Sequence, residues 1–294
     1  MMNKNPSTTN KEVVTVSVIS YNSESTVLET LNSIYEQSYG PENIELIISD
    51  DGSKDETVKV VNAWLKDKSI YFKDVNFIAN QINEGVSKNV NHAWKAANSK
   101  WIKTIAADDI LLPHCIQSYS EYVVQNPEVR IVFSSMEKFD SKTGSILGLL
   151  PDKARMDFFI KSANEQYCIL LKDSFNFAPT SFILAELLTD VGYADERFQF
   201  LEDLPLWLKI TKSGNQLYFL NQVTVKYRIG DSLSNSTTRL INRKFYEQML
   251  QLYKLYIFPN LKNDNFFIFN KKIEIKSTLW LGKITRNKRT FFTL

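Results

Sequence analysis

The sequence predicts an α/β fold: a mostly parallel central sheet flanked by helices, with a C-terminal helical extension. Three observations carry this. Short apolar runs that suit strands alternate with amphipathic stretches that suit helices from residue 13 to about 107. The links between them are short. The strand-like runs are apolar or small at nearly every position, not at every second one, as strands covered on both faces should be.

Residues 1–11 read as a polar leader, with no apolar stretch that would make a signal peptide. "VVTVSVIS" (13–20) is the first strand. The helix after it places Val27, Leu28, Leu31, Ile34 and Tyr35 on one face. "IELIIS" (44–49) is the second strand; Ser53 and Glu56 then have the spacing of a capping box, and Val58, Val61 and Leu65 continue a helix. "VNFIA" (75–79), a helix over 86–98 and "WIKTIAA" (101–107) complete the alternation. Beyond 113 the pattern loosens: a helix at 114–125, a strand at 129–135, a loop-like stretch over 136–165, a helix near 203–213 and two short strands within 216–228. From about 237 the chain reads as mainly helical. The domain organisation expected is a leader (1–11), a catalytic domain (12–230) with a donor half (12–112) and an acceptor half (113–230), and a helical extension (231–294).

Composition narrows the class. The 294 residues are 44% hydrophobic and 23% charged, enough to bury a large core. A net charge of +2 argues against a dedicated nucleic-acid binder. Two cysteines, Cys115 and Cys168, make neither a disulfide framework nor a zinc site, so a reducing, cytoplasmic compartment is expected. No apolar run reaches the length of a membrane span.

The informative positions are strand ends. In open α/β sheets ligands bind beyond the carboxyl ends of the strands. Tyr21 and Asn22 follow the first strand, Asp50 and Asp51 end the second, and Asp108 and Asp109 follow the fourth. Two acidic pairs on one edge repel unless a cation or hydrogen-bond donors relieve them. Mg²⁺ or Mn²⁺ prefers such oxygens and commonly keeps phosphate oxygens as further ligands. A nucleotide diphosphate therefore suits the set, with Tyr21 stacking on a base and Asp109 holding the metal. Each residue also has a plainer reading: "DDG" is an ordinary turn, and an acid at a helix start is favoured by the dipole.

The stretches "VSVISYN", "ELIISDDGSKDET", "NEGVSKNVNHAWKAANSKWIKTIAADD" and "DVGYADERFQFLEDLPLWLKI" together resemble an inverting family 2 glycosyltransferase of the GT-A (Rossmann-like) fold, over roughly residues 13–230. The resemblance implies a nucleotide-sugar donor, most often a UDP-sugar, a divalent metal (Mn²⁺ or Mg²⁺) and a glycan or lipid-linked glycan acceptor. It places Tyr21 and Asp51 at the base, Asp108 at the ribose and Asp109 at the metal. Asn83 and Gly85 match the family's N-x-G loop. Where the family often has Asp-x-Asp, this chain has Ala107 before Asp108, leaving Asp109 as the main metal ligand. Where an arginine often precedes Asn91, Val90 stands. No QxxRW follows, which speaks against a processive synthase.

"LEDLPLW" puts Glu202 and Asp203 at a helix start, where the family's general base lies. Asp203 is the expected base, with Glu202 as its neighbour or an acceptor contact. Arg228 follows a strand and can reach a diphosphate, or simply be a surface arginine. His92 and His114 are isolated and read as structural. Residues 271–294 hold seven Lys or Arg and one Glu, interleaved with Trp280, Leu281, Phe291 and Phe292. They read either as a packed terminal helix or as a peripheral contact with an anionic membrane, at the inner face of the cell membrane.

The alternatives are a sugar nucleotidyltransferase, which would want a Gly-rich basic phosphate loop where "SYNSESTVLE" stands, and a catalytically inactive glycan-binding module, which would lack Asp109 and Asp203. A receiver-like domain would close in about 120 residues. A dehydrogenase would carry Gly-x-Gly-x-x-Gly, which is absent.

Overall fold

A computed structural model describes residues 11–175, 177–230, 242–261 and 264–284. The first part is β1 (Val14–Ser20), α1 (Val27–Tyr35), β2 (Ile44–Asp50), α2 (Thr57–Lys68), β3 (Asp74–Ala79), α3 (Val86–Ala96) and β4 (Trp101–Ala106). These four strands pair in the order β3-β2-β1-β4, all parallel. Val14, Val16 and Val18 of β1 pack with Leu31 and Ile34 of α1 and Val61 and Trp64 of α2. The alternate positions, Thr15 and Ser17, are small and let α3 lie against β1 and β2 on the other face. Each buried Val or Leu contributes about 1.5–3 kcal/mol.

One acid interrupts this apolar core. Glu45 of β2 is buried, and it accepts hydrogen bonds from the Thr15 hydroxyl, the Asn98 amide (2.7 Å) and the Ser99 hydroxyl (3.0 Å). Burial pushes its pKa up, but these donors outweigh burial and leave it below the usual carboxylate range. It fastens the α3–β4 turn to β2.

The second part adds β5 (Ile110–Leu111), α4 (Cys115–Gln125), β6 (Ile131–Asp140), β7 (Ile146–Leu150), α5 (Ala163–Leu170), β8 (Phe182–Leu184), α6 (Ala185–Val191), α7 (Asp203–Lys212), β9 (Tyr218–Ile229), α8 (Arg243–Leu252) and α9 (Asn265–Ile284). The full sheet runs β3-β2-β1-β4-β8-β6-β9-β5, with β7 paired to β6. β8 is antiparallel to both β4 and β6, whereas β6 and β9 are parallel. A second core forms on the α3 face, where Phe133, Phe177 and Trp207 meet edge to face or stacked.

The α/β class is the one expected, and each strand of the first part lies where its apolar run stands. Several details differ. Ser53 and Glu56 form no capping box: α2 begins at Thr57 without a side-chain cap. The Ser53 hydroxyl is taken by Asp50 (2.6 Å), so it is not available to the helix. Leu28 is exposed, and the buried face of α1 is narrower than read. The loop-like 136–165 stretch holds the end of β6, β7, a 3₁₀ turn over Lys153–Phe158 and the start of α5. The two short strands of 216–228 are one strand, β9, whose register slips against β6 around Ser134–Met136. α7 lacks an apolar stripe because it is buried nearly all round, from Leu204 to Leu208 and at Ile210 and Thr211. Residues 1–10 of the expected leader lie outside the described residues, as do 231–241 and 285–294 with Phe291 and Phe292. No described helix is long and apolar enough to cross a membrane.

Candidate active site

The carboxyl ends of β1, β2 and β4 form one edge, and hydrogen bonds fasten their loops to each other. Asp51 N donates to Ser20 O (2.9 Å) and Ala107 N to Ile19 O (2.9 Å), so the second and fourth loops flank the first. Asn22, held at φ 50°, accepts from Lys54 N (2.8 Å), and its own N–H donates to Ser53 Oγ (2.8 Å). Ser23 N and Glu24 N reach Thr57 and Asp55. Above this zipped pair of loops Tyr21 stands 41% exposed, an aromatic ring presented to solvent at a strand end.

Asp50 and Asp51 lie within this framework. Asp50 is fully buried; its two oxygens accept from Ser53 N (2.8 Å), Ser53 Oγ (2.6 Å) and Ser20 Oγ (2.9 Å). Asp51 accepts from Glu84 N (2.8 Å) and Gly85 N (2.9 Å). Burial raises its pKa, the two N–H donors oppose that, and the nearby Glu84 and Asp50 add to it. Asn83 and Gly85 therefore sit on a loop that Asp51 holds. Gly52 must be glycine here: at φ +72° a Cβ would come within 2.6 Å of the Ile82 carbonyl carbon. Gly85, at φ +96°, likewise leaves no room beside Gln199, and Val86 N donates to Gln199 O (2.9 Å). That contact brings the segment before α7 onto the loop after β3.

Asp108 and Asp109 follow β4. Asp109 is buried; its Oδ1 accepts from Arg228 N (2.9 Å) and its carbonyl from Thr30 Oγ1 (2.7 Å). Burial, then the neighbouring Asp108, pushes the Asp109 carboxyl well above the usual range. Asp108 beside it is exposed. Arg228 closes over the pair. Its Nε donates to Asp108 O (2.7 Å), its guanidinium pairs with Glu29 and lies 4.6 Å from the Phe139 ring centroid. Glu29 carries no local signal of this role, lying 199 positions from its partner.

Beneath Asp109 lies Lys103, a cation in the middle of a buried strand. It is fully enclosed, donates to Thr104 O and Pro179 O at 2.6 Å each, and burial lowers its pKa to about 8. The lone lysine in "WIKTIAA" was the available signal for it.

Glu202 and Asp203 begin α7. Their carboxyls have few partners: Asp203 Oδ1 accepts from Leu204 N (2.6 Å). Both pKa values are raised, Asp203 by burial and Glu202 by burial and then by the charge of Asp203. His92 and His114 are engaged within the fold, His92 with Asn80 (3.3 Å) and His114 with Val223 O (2.9 Å).

Asp50–Asp51 and Asp108–Asp109 are thus tied to one edge of the sheet through β1, and the segment that precedes Glu202 and Asp203 reaches the loop after β3 through Gln199. A divalent cation can be accommodated at Asp109: one oxygen is taken by the Arg228 N–H and the other remains, next to a second carboxylate whose repulsion a cation relieves. Among the described residues no three His, Cys, Asp or Glu side chains gather as a metal cage. One or two carboxylates with diphosphate oxygens completing the shell is the usual Mg²⁺ arrangement.

A family model described as "Glycosyl transferase family 2" matches residues 15–188. Among curated proteins, an uncharacterized glycosyltransferase of Rickettsia typhi is 26% identical over 76% of this chain and 66% of its own length. A UDP-Glc:alpha-D-GlcNAc-diphosphoundecaprenol beta-1,3-glucosyltransferase of Escherichia coli, WfaP, is 27% identical over 79% of this chain and 84% of its own. Among solved structures, S. aureus TarS in complex with UDP-GlcNAc superposes with a TM-score of 0.63 at 21% identity, covering 82% of this chain and 65% of that one. That likeness is one of fold, and the fold is of the GT-A type.

Proposed function

The chain belongs to glycosyl transferase family 2, and on that premise we propose that it moves a sugar from a nucleotide diphosphate, a UDP-sugar, to a lipid-linked glycan, with inversion and with a divalent metal. The observation that carries this reading is the meeting of two acidic pairs, Asp50–Asp51 and Asp108–Asp109, at one sheet edge, with the segment before Glu202 and Asp203 fastened to the loop that Asp51 holds. WfaP's name gives both a UDP-sugar donor and a lipid-diphosphate acceptor, which supports those two classes.

In this reading Tyr21 stacks on the base, and the zipped loops carrying Asn22, Asp50, Asp51, Asn83 and Gly85 shape the floor beneath it. Asp108 accepts from a ribose hydroxyl. Asp109 is the residue that would hold Mn²⁺ or Mg²⁺, and such an ion would neutralise the leaving diphosphate. Arg228, braced by Glu29, adds a fixed positive charge on the same side. Asp203 takes the proton of the acceptor hydroxyl as that oxygen attacks the anomeric carbon from the face opposite the diphosphate. One bond forms as the other breaks, and the configuration inverts. Glu202 contacts the acceptor or sets the charge of Asp203. A protein acting on such an acceptor works at the inner face of the cell membrane.

The test is release of UDP from a panel of UDP-sugars with Mn²⁺ and a polyprenyl-diphosphate glycan. Acceptor-dependent release with inversion is the expected result. Sugar-nucleotide formation from a sugar phosphate and UTP would instead establish a nucleotidyltransferase.

A further inference from the structure

α9 is a 20-residue helix with apolar side chains on both its packed and its open side. One side packs inward: Ile275 is buried, Lys271 is half-buried, and α9 rests against α8. The other side carries Phe266, Phe269, Ile273, Trp280 and Ile284, which are 77%, 61%, 49%, 62% and 58% exposed. At 3.6 residues per turn these five fall on one stripe along the helix. Lys272, Lys276 and Lys283, all exposed, line one flank of it. Five large apolar side chains left open along one side, interrupted by Lys276 and Ser277, mark an interaction surface and not an ordinary exposed leucine or two.

We infer that the outer face of α9 docks on a lipid bilayer bearing anionic headgroups. The phenyl, indole and aliphatic side chains enter the headgroup–acyl boundary, and the lysine flank meets the phosphates. Charge decides between this occupant and a second copy of the chain. A helix pair sharing the stripe at coiled-coil spacing would bring Lys276 and Lys283 into the seam between Ile273, Trp280 and Ile284, where like charges oppose pairing. An anionic surface turns the same lysines into attraction. The inference deepens the reading of a membrane-borne acceptor, but it stands on this helix face alone. α8 connects the face to the site: Gln248 of α8 accepts from Phe200 N (3.0 Å), just before Glu202 and Asp203.

The experiment uses the full chain with extruded vesicles of phosphatidylcholine alone or mixed with phosphatidylglycerol. Co-sedimentation is expected to be about a hundredfold stronger on the anionic vesicles and to weaken with salt. Phe269→Ser with Trp280→Ser is expected to lower it about a hundredfold. Lys276→Gln is expected to lower it about fivefold. Trp64, Trp94, Trp101 and Trp207 are buried, so protection of tryptophan fluorescence from acrylamide on vesicles reports Trp280. These positions are exposed, and each variant's melting temperature and nucleotide-dependent thermal shift are measured alongside. An unchanged shift with lost vesicle binding supports the inference while leaving the catalytic reading intact. Absence of wild-type binding, binding indifferent to the double variant, or a dimer that the double variant dissociates without any vesicle binding would overturn it.

Discussion

Asp50 and Asp203 are both acids in adjacent acidic pairs, yet the fold treats them in opposite ways. Asp50 is enclosed by three donors and joins two loops. Asp203 has the Leu204 N–H, and both it and Glu202 are held at raised pKa. A buried carboxylate with full hydrogen bonding is scaffold; a half-buried one with a single backbone donor has acceptor capacity left over, as a proposed general base needs.

The comparison can be broken by substitution. The largest effect is expected at Asp203: Asp203→Asn should cut kcat by about 10²–10⁴-fold while the nucleotide Kd stays unchanged, measured by UDP release and by titration. Asp50→Ala should instead act on the fold, lowering unfolding stability by about 3 kcal/mol in denaturant melts, because Ser20 and Ser53 lose a buried charged acceptor.

Glu202→Gln sharpens the contrast because its sign is reversed. A carboxyl whose folded pKa lies above its unfolded value binds more protons in the folded state, so stability falls as pH rises through that interval. The amide removes that loss. The variant should therefore be more stable than the parent by about 1 kcal/mol at neutral pH, with the gain disappearing below the ordinary carboxylate range. Melting temperatures at pH 4 and 7.5 (about, spanning the carboxylate titration) check this; a destabilised variant at both would make Glu202 scaffold. The smallest effect is at Tyr21, where Tyr21→Ala should weaken UDP about tenfold by calorimetry, since an exposed ring lends only stacking.

Much of the fold was legible because the first four strands are short runs dominated by Val, Ile and Leu, and the helices between them are short and regular. β8 was not, since Phe182–Leu184 is three residues long and owes its place to its antiparallel neighbours. β9 read as two strands because the polar, exposed Asn221 and Gln222 interrupt it where the register slips. The acidic pairs stood out in the sequence as residues, but not the difference between them. That Ser53 serves Asp50 instead of α2, that Asp51 grips the Glu84–Gly85 backbone, and that Glu29 braces Arg228 all depend on contacts between distant segments, which periodicity does not encode.

The most direct test is a thermal-shift panel of nucleoside diphosphates with and without Mn²⁺ on the parent chain, Asp109→Asn and Asp203→Asn. Stabilisation by one nucleotide that requires the metal, vanishes in Asp109→Asn and survives in Asp203→Asn is the predicted result. A shift that is indifferent to Mn²⁺, or one that persists when Asp109 is replaced, would contradict the assignment of this sheet edge as a metal-assisted donor site.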